Sequence, residues 1–142
     1  MLAMFFFYNE AQGKQLKWVQ HEEFKHCRVI IYGGDNFILF ESSRYGIDHQ
    51  VIKSNSAERI WRNMRVIKSL THSICVYVNR KHEFPWRPLW VRSCNEVCRY
   101  LSSVDIGFTL TPYGLFKKLL KYDKTSNYEV LAVWRRHDGV LE

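Results

Sequence analysis

No apolar run in this chain reaches the ~20 residues that a membrane-spanning helix needs. The apolar N-terminus Met1-Leu2-Ala3-Met4-Phe5-Phe6-Phe7-Tyr8 is shorter than the core of a secretory signal, with no basic stretch before it and no clear cleavage site after it. It reads as a strand or buried arm, with a docking arm in an assembly as the second reading, and no signal peptide is expected. Internal repeats, low-complexity segments and Pro/Gly/Ser linkers are also missing. The 142 residues therefore read as a single domain, with 1–20 as an N-terminal strand or arm and 136–142 as a frayed tail. Zinc-type ligand spacing is lacking too. Cys94 and Cys98 form a C-x3-C pair, but His21 and His26 lie far away in sequence, so neither a metal nor a cofactor is expected. Cys27 and Cys75 sit inside apolar, strand-like runs, where a buried free thiol is the usual state. Without a secretory signal, disulfides are not expected.

What is present is a basic, aromatic-rich globular composition: net charge +7, sequence pI ≈ 9.3 and 15% Phe, Trp and Tyr. Such a charge favours anionic partners. The basic residues are scattered, however, from Lys14 and Lys17 through Arg59, Arg62, Arg65 and Lys68 to Arg135 and Arg136, with no long block and no nucleic-acid motif. Nucleic acid ranks last among the partners considered.

Local signals divide the chain. Two β-rich runs, His26 to Tyr32 and Phe37 to Glu41, flank the turn Gly33-Gly34-Asp35-Asn36, whose residues tolerate positive φ. A short strand is expected over His49 to Lys53. A helix capped by Ser54 or Ser56 is expected to run to about Leu70, with Ile60, Met64 and Ile67 as its stripe. A strand follows over Ser73 to Val78, then a loop over 79–92 that carries Trp86 and Trp90. Ser93 caps a helix to about Ser103. Thr111-Pro112 starts another to about Tyr122, with proline at its first position, and Tyr128 to Trp134 closes as a strand.

These elements bring chemistry with them. Cys94 directly follows a Ser cap, where unpaired backbone N–H groups and the helix dipole favour a thiolate. Cys98 lies a full turn further in. A nucleophilic thiol needs a base, and the base an orienting group. A turn centred on Gly34-Asp35 puts Arg28 opposite Glu41 and His26 opposite Ser43. His26 and Glu41 then become same-face diagonal neighbours at roughly 7–8 Å between backbones. His26 can act as the base and Glu41 as its partner, although Glu41 can equally form a salt bridge to Arg28. His21, His49, His72, His82 and His137 are alternative bases. The Cys94 backbone N–H would form part of an oxyanion hole. Trp90, Ser93 and Asn95 all stand open as the second donor, and Trp86 and Trp90 are the candidate substrate-binding residues.

This order of parts resembles the circularly permuted branch of the papain-like, NlpC-type cell-wall peptidase superfamily, which also holds lecithin:retinol acyltransferase-like proteins. There the histidine precedes the cysteine. More narrowly, His26-Cys27-Arg28-Val29-Ile30, Cys94-Asn95-Glu96-Val97-Cys98-Arg99-Tyr100-Leu101 and Thr111-Pro112-Tyr113-Gly114-Leu115-Phe116 look like segments of small proteins encoded by tailed phages. The resemblance spans roughly residues 20–122 in order. It departs at Ser102-Ser103, where a glycine is usual, and at Arg28, a basic residue beside the site.

The resemblance implies a papain-like α+β fold: a small antiparallel sheet packed against a cysteine-bearing helix and a second helix. It makes Cys94 the nucleophile, His26 the base and Glu41 the polar third residue. The leading expectation is a phage-encoded cysteine hydrolase of an amide or thioester bond, with cell-wall (peptidoglycan) peptide as the family-level substrate. It would lie in the cytoplasm of the infected host cell or with the virion. The alternative is an inert virion component of the head–tail junction or tail that binds other virion proteins.

Overall fold

Phe5-Phe6-Phe7 lies in the middle of a sheet. The computed structural model describes residues 1–10, 21–43, 46–54, 56–79 and 93–136. Among these, the strands are β1 (Leu2–Tyr8), β2 (His26–Tyr32), β3 (Phe37–Ser43), β4 (Gly46–Ile52), β5 (Leu70–Val78) and β6 (Tyr128–Arg135). The helices are α1 (Ala57–Met64), α2 (Cys94–Ser102) and α3 (Pro112–Lys121). The strands form one antiparallel sheet in the order β4-β3-β2-β1-β5-β6. The fold is thus α+β, with a larger sheet than the small one expected. No helix among the described residues is long and apolar enough to cross a membrane.

The central position of β1 explains its sequence. A strand covered on both faces reads as an unbroken apolar run, whereas a half-exposed one alternates. Ala3, Phe5 and Phe7 join Cys27, Val29, Ile74 and Val76 under α2 and α3. Met4, Phe6 and Tyr8 join Ile30, Leu70, Cys75 and Trp134 under Ile60 of α1. The Met1 ammonium donates to the Val78 carbonyl at 2.8 Å, which ties the chain to β5 just ahead of β1.

Two expectations need correcting. The helix expected to reach Leu70 ends at Met64, because the chain turns there and Leu70 opens β5 instead. A turn bonds Ile67 N–H to the Met64 carbonyl, which keeps Ile67 on the α1 side of the core without a helix beneath it. Arg136 does not begin a frayed tail. Its N–H donates to the Thr71 carbonyl, and its guanidinium donates to the carbonyls of Arg65, Ile67 and Lys68. The remainder of that tail, 137–142, and residues 11–20 of the N-terminal segment lie outside the described residues.

Helix α2 is buried on nearly every side, including its polar residues Asn95, Glu96 and Arg99. It packs on β2 and β3 on one side. On the other, Thr109 closes over it. The Glu96 carboxylate accepts the Thr109 N–H at 2.6 Å and its hydroxyl at 2.8 Å, while Arg99 Nη2 donates to the other carboxylate oxygen at 2.7 Å. A buried ion pair is tolerable when its remaining hydrogen-bonding positions are filled. Asn95 Nδ2 donates to Thr109 as well. These bonds fix how α2 sits on the sheet, and so where its first residue, Cys94, comes to rest.

The helix ends at Ser103, which takes the left-handed conformation at φ 58 and donates its N–H to the Tyr100 carbonyl. Glycine is favoured here because a Cβ is disfavoured in that region. Ser103 thus holds, with a side chain, a conformation that glycine adopts at lower cost. Ser103→Gly is expected to raise stability by about 0.5–1 kcal/mol, the relief of left-handed strain exceeding the extra chain entropy of glycine. Urea denaturation midpoints check this, and an unchanged or lower midpoint would count against it.

Candidate active site

The β2–β3 hairpin has the register read from its turn. Val29 pairs with Phe40, Ile30 with Leu39, Ile31 with Ile38 and Tyr32 with Phe37. The ladder stops at Val29, so His26, Cys27 and Arg28 run on without backbone partners in β3. On the other side they stay paired to β1, with His26 opposite Tyr8 and Cys27 opposite Phe7.

The start of α2 sits at this opening. Ser93 caps the helix, its hydroxyl accepting the Glu96 N–H at 3.4 Å, and Cys94 is the first helical residue. Cys27, through its side chain and its backbone, and His26 are the neighbours that act on the Cys94 sulfur and favour its thiolate. Strand alternation sends the side chains of His26 and Cys27 to opposite faces of the sheet. Only a group lying edge-on to β2 can meet both, and Cys94 does.

The electrostatic result is a strong asymmetry among the thiols. Cys94 is held well below the ordinary thiol range, first by the hydrogen bond from Cys27 and then by the bond and charge of His26, against the opposing effect of burial. Cys27 is pushed well above it, by burial first and then by its bonds to Cys94 and Cys98. Cys75, on the α1 face, is pushed up to about 11 by burial alone.

Glu41 reaches this assembly from β3. Its Oε1 lies 3.4 Å from His26 Nε2, within ion-pair range, although the geometry is not that of a hydrogen bond and Nε2 has no hydrogen-bond partner. An imidazole that faces a carboxylate through Nε2 has Nδ1 left for the sulfur. The same Oε1 accepts from Arg28 Nε at 2.9 Å and pairs with Arg28 Nη2 at 2.8 Å. Both sequence readings of Glu41 therefore hold together, as neighbour of His26 and as salt-bridge partner of Arg28. The Arg28 guanidinium also lies over the Tyr8 ring, 5.0 Å from its centroid. Burial pushes the Tyr8 hydroxyl up to about 12.

The structure thus brings together Cys94, His26 and Glu41. Trp86 and Trp90 lie outside the described residues, as do the alternative bases His82 and His137. His21 instead stacks on Tyr113, His72 stacks on Phe24, and His49 faces Phe40 across β3 and β4. Of the candidates for a second oxyanion donor, Asn95 is committed to Thr109. Sequence reasoning missed Cys27, the largest influence on the Cys94 sulfur. It is next to His26 in sequence, but an adjacent strand residue points the other way, so only the placement of α2 reveals it.

Between about pH 6 and pH 8, iodoacetamide is expected to modify Cys94 ahead of Cys27 and Cys75, because a thiolate alkylates far faster than a thiol and Cys94 is shifted downward while those two are shifted upward, and ahead of Cys98, which is only 1% exposed. His26→Ala should move the onset of labelling upward in pH. Peptide mapping after brief labelling checks both, and equal labelling of all four cysteines would contradict the asymmetry. Compared with known proteins, the chain matches no family model, no curated protein and no solved structure.

Proposed function

We propose that this protein is a cysteine hydrolase with a papain-like site in permuted order, cleaving an amide or thioester bond. The observation that supports it best is the convergence of a helix N-terminus, a histidine and a second cysteine on Cys94. In this mechanism the Cys94 thiolate attacks the carbonyl carbon of the scissile bond. The oxygen that becomes negative is stabilised in part by the Cys94 backbone N–H, which at the first helical position has no intrahelical acceptor. His26 gives its proton to the leaving amine or thiol, which departs and leaves an acyl group on Cys94. Water, deprotonated by His26, then attacks the acyl carbon and frees the sulfur. Glu41 holds the ring orientation and compensates the imidazolium charge. Phage origin and a cell-wall peptide substrate belong to this proposal through the sequence resemblance.

A second reading is supported by Arg28. It places two nitrogens on the one Glu41 oxygen that faces His26, neutralising the charge that would stabilise the imidazolium. Cys94 is also only 8% exposed. A fold kept as a virion structural or interaction module, with its site inert, fits these two facts.

Purified sacculi, muropeptides and an acyl thioester, each incubated with the protein, test the choice. Hydrolysis read by chromatography should vanish in Cys94→Ala, fall by about 10²–10⁴ in His26→Ala and fall less in Glu41→Gln. Turnover by Cys94→Ala equal to wild type would overturn the hydrolase assignment. Turnover of none of the three by wild type, with stable capture of virion proteins, would select the inert module.

A further inference from the structure

Three of the four cysteines meet beneath α2, and a hydrolase uses only one. Cys94 and Cys98 stand one helical turn apart, and both enter the same buried cluster as Cys27. The Cys27 thiol donates to Cys98 Sγ at 3.7 Å and lies against Cys94 in the same buried cluster, so it neighbours both helix sulfurs. Access differs sharply within the cluster. Cys94 is 8% exposed, Cys98 1% and Cys27 0%, so a small solute meets Cys94 first. Cys75 lies on the other face of the sheet and takes no part.

We propose that Cys94 and Cys27 form an oxidation site, in which a hydroperoxide oxidises the Cys94 sulfur and Cys27 resolves the product as an intramolecular disulfide. The Cys94 sulfur attacks one oxygen of hydrogen peroxide and the O–O bond breaks. The departing hydroxide takes the proton held on His26 and leaves as water. Cys94 is now a sulfenic acid, oxidised by two electrons. The Cys27 sulfur then attacks the Cys94 sulfur, the S–O bond breaks, and the hydroxide leaves with the Cys27 proton as a second water. Two thiols and one peroxide give one disulfide and two waters. The two sulfurs, neighbours in one cluster, must close to about 2.05 Å, a local movement of two side chains. The product blocks the nucleophile reversibly and keeps it from the sulfinic and sulfonic acids, which reductants do not reverse. This site requires the reactive sulfur and its neighbour but no substrate, so it stands or falls separately from the hydrolase reading.

The full-length protein, treated with hydrogen peroxide and then alkylated, tests it by intact mass and peptide mapping. Wild type should lose two hydrogens, yield a Cys27–Cys94 linked peptide and recover fully with dithiothreitol. In Cys27→Ser, Cys94 should instead gain two or three oxygens that dithiothreitol does not remove, at least about tenfold more than in wild type. Cys98→Ala, which leaves both partners in place, should still form the Cys27–Cys94 bond. A Cys27–Cys98 bond with Cys94 still alkylated would overturn the proposal. So would the absence of any disulfide in both wild type and Cys98→Ala, or equal over-oxidation of Cys94 in wild type and Cys27→Ser.

Discussion

A negative sulfur in a protein interior must be solvated by the protein itself, because water is mostly excluded and an uncompensated buried charge is costly. At Cys94 that requirement is met by the Cys27 side chain, the Cys27 backbone, the His26 ring and the first turn of α2. Two of these four come from a single residue on β2. The constraint therefore reaches into the backbone. The Cys27 N–H is available only because the β2–β3 ladder ends at Val29. Had pairing continued two residues further, β3 would occupy the edge that Cys94 now uses.

The same opening admits Glu41, which stays within side-chain reach of His26 and Arg28 after the backbones separate. The carboxylate is shared, and the sharing sets the character of the site. Arg28 fixes Glu41 firmly and at the same time offsets its charge. Behind α2, the Glu96–Arg99–Thr109 bonds hold the helix against the sheet, so that the position of Cys94 does not depend on the apolar contacts of Val97 and Cys98 alone.

Several of these relations were legible in the sequence. Turn chemistry at Gly33-Gly34-Asp35-Asn36 gave the hairpin and its register, and register alone put His26, Arg28 and Glu41 on one face. Side-chain capping gave the starts of α2 and α3 at Ser93 and Thr111 and narrowed that of α1 to Ser54 or Ser56, of which Ser56 is the cap. What the sequence concealed depends on tertiary placement. An apolar run such as Phe5-Phe6-Phe7 has the same composition whether it is an arm or a central strand, and only its neighbours β2 and β5 decide. The helical stripe of Ile60, Met64 and Ile67 continued past the real end of α1, because a turn can keep a residue on the same side of the core. Cys27 looked like a core residue, and it is one. Its second role arises from a helix start 67 positions along the chain.

The sheet order also has a kinetic side. Strand β1 pairs with β2, which begins 24 residues after it, and with β5, which begins 68 residues after it. On the ribosome, β1 stays half unpaired until residues 70–78 have emerged, and α2 and α3, which cover one of its faces, come later still. Such long-range closure slows folding and leaves an apolar strand open to other chains in the interval. Nascent copies crowded together at high expression thus meet through Phe5, Phe6 and Phe7 before any one of them can bury its own.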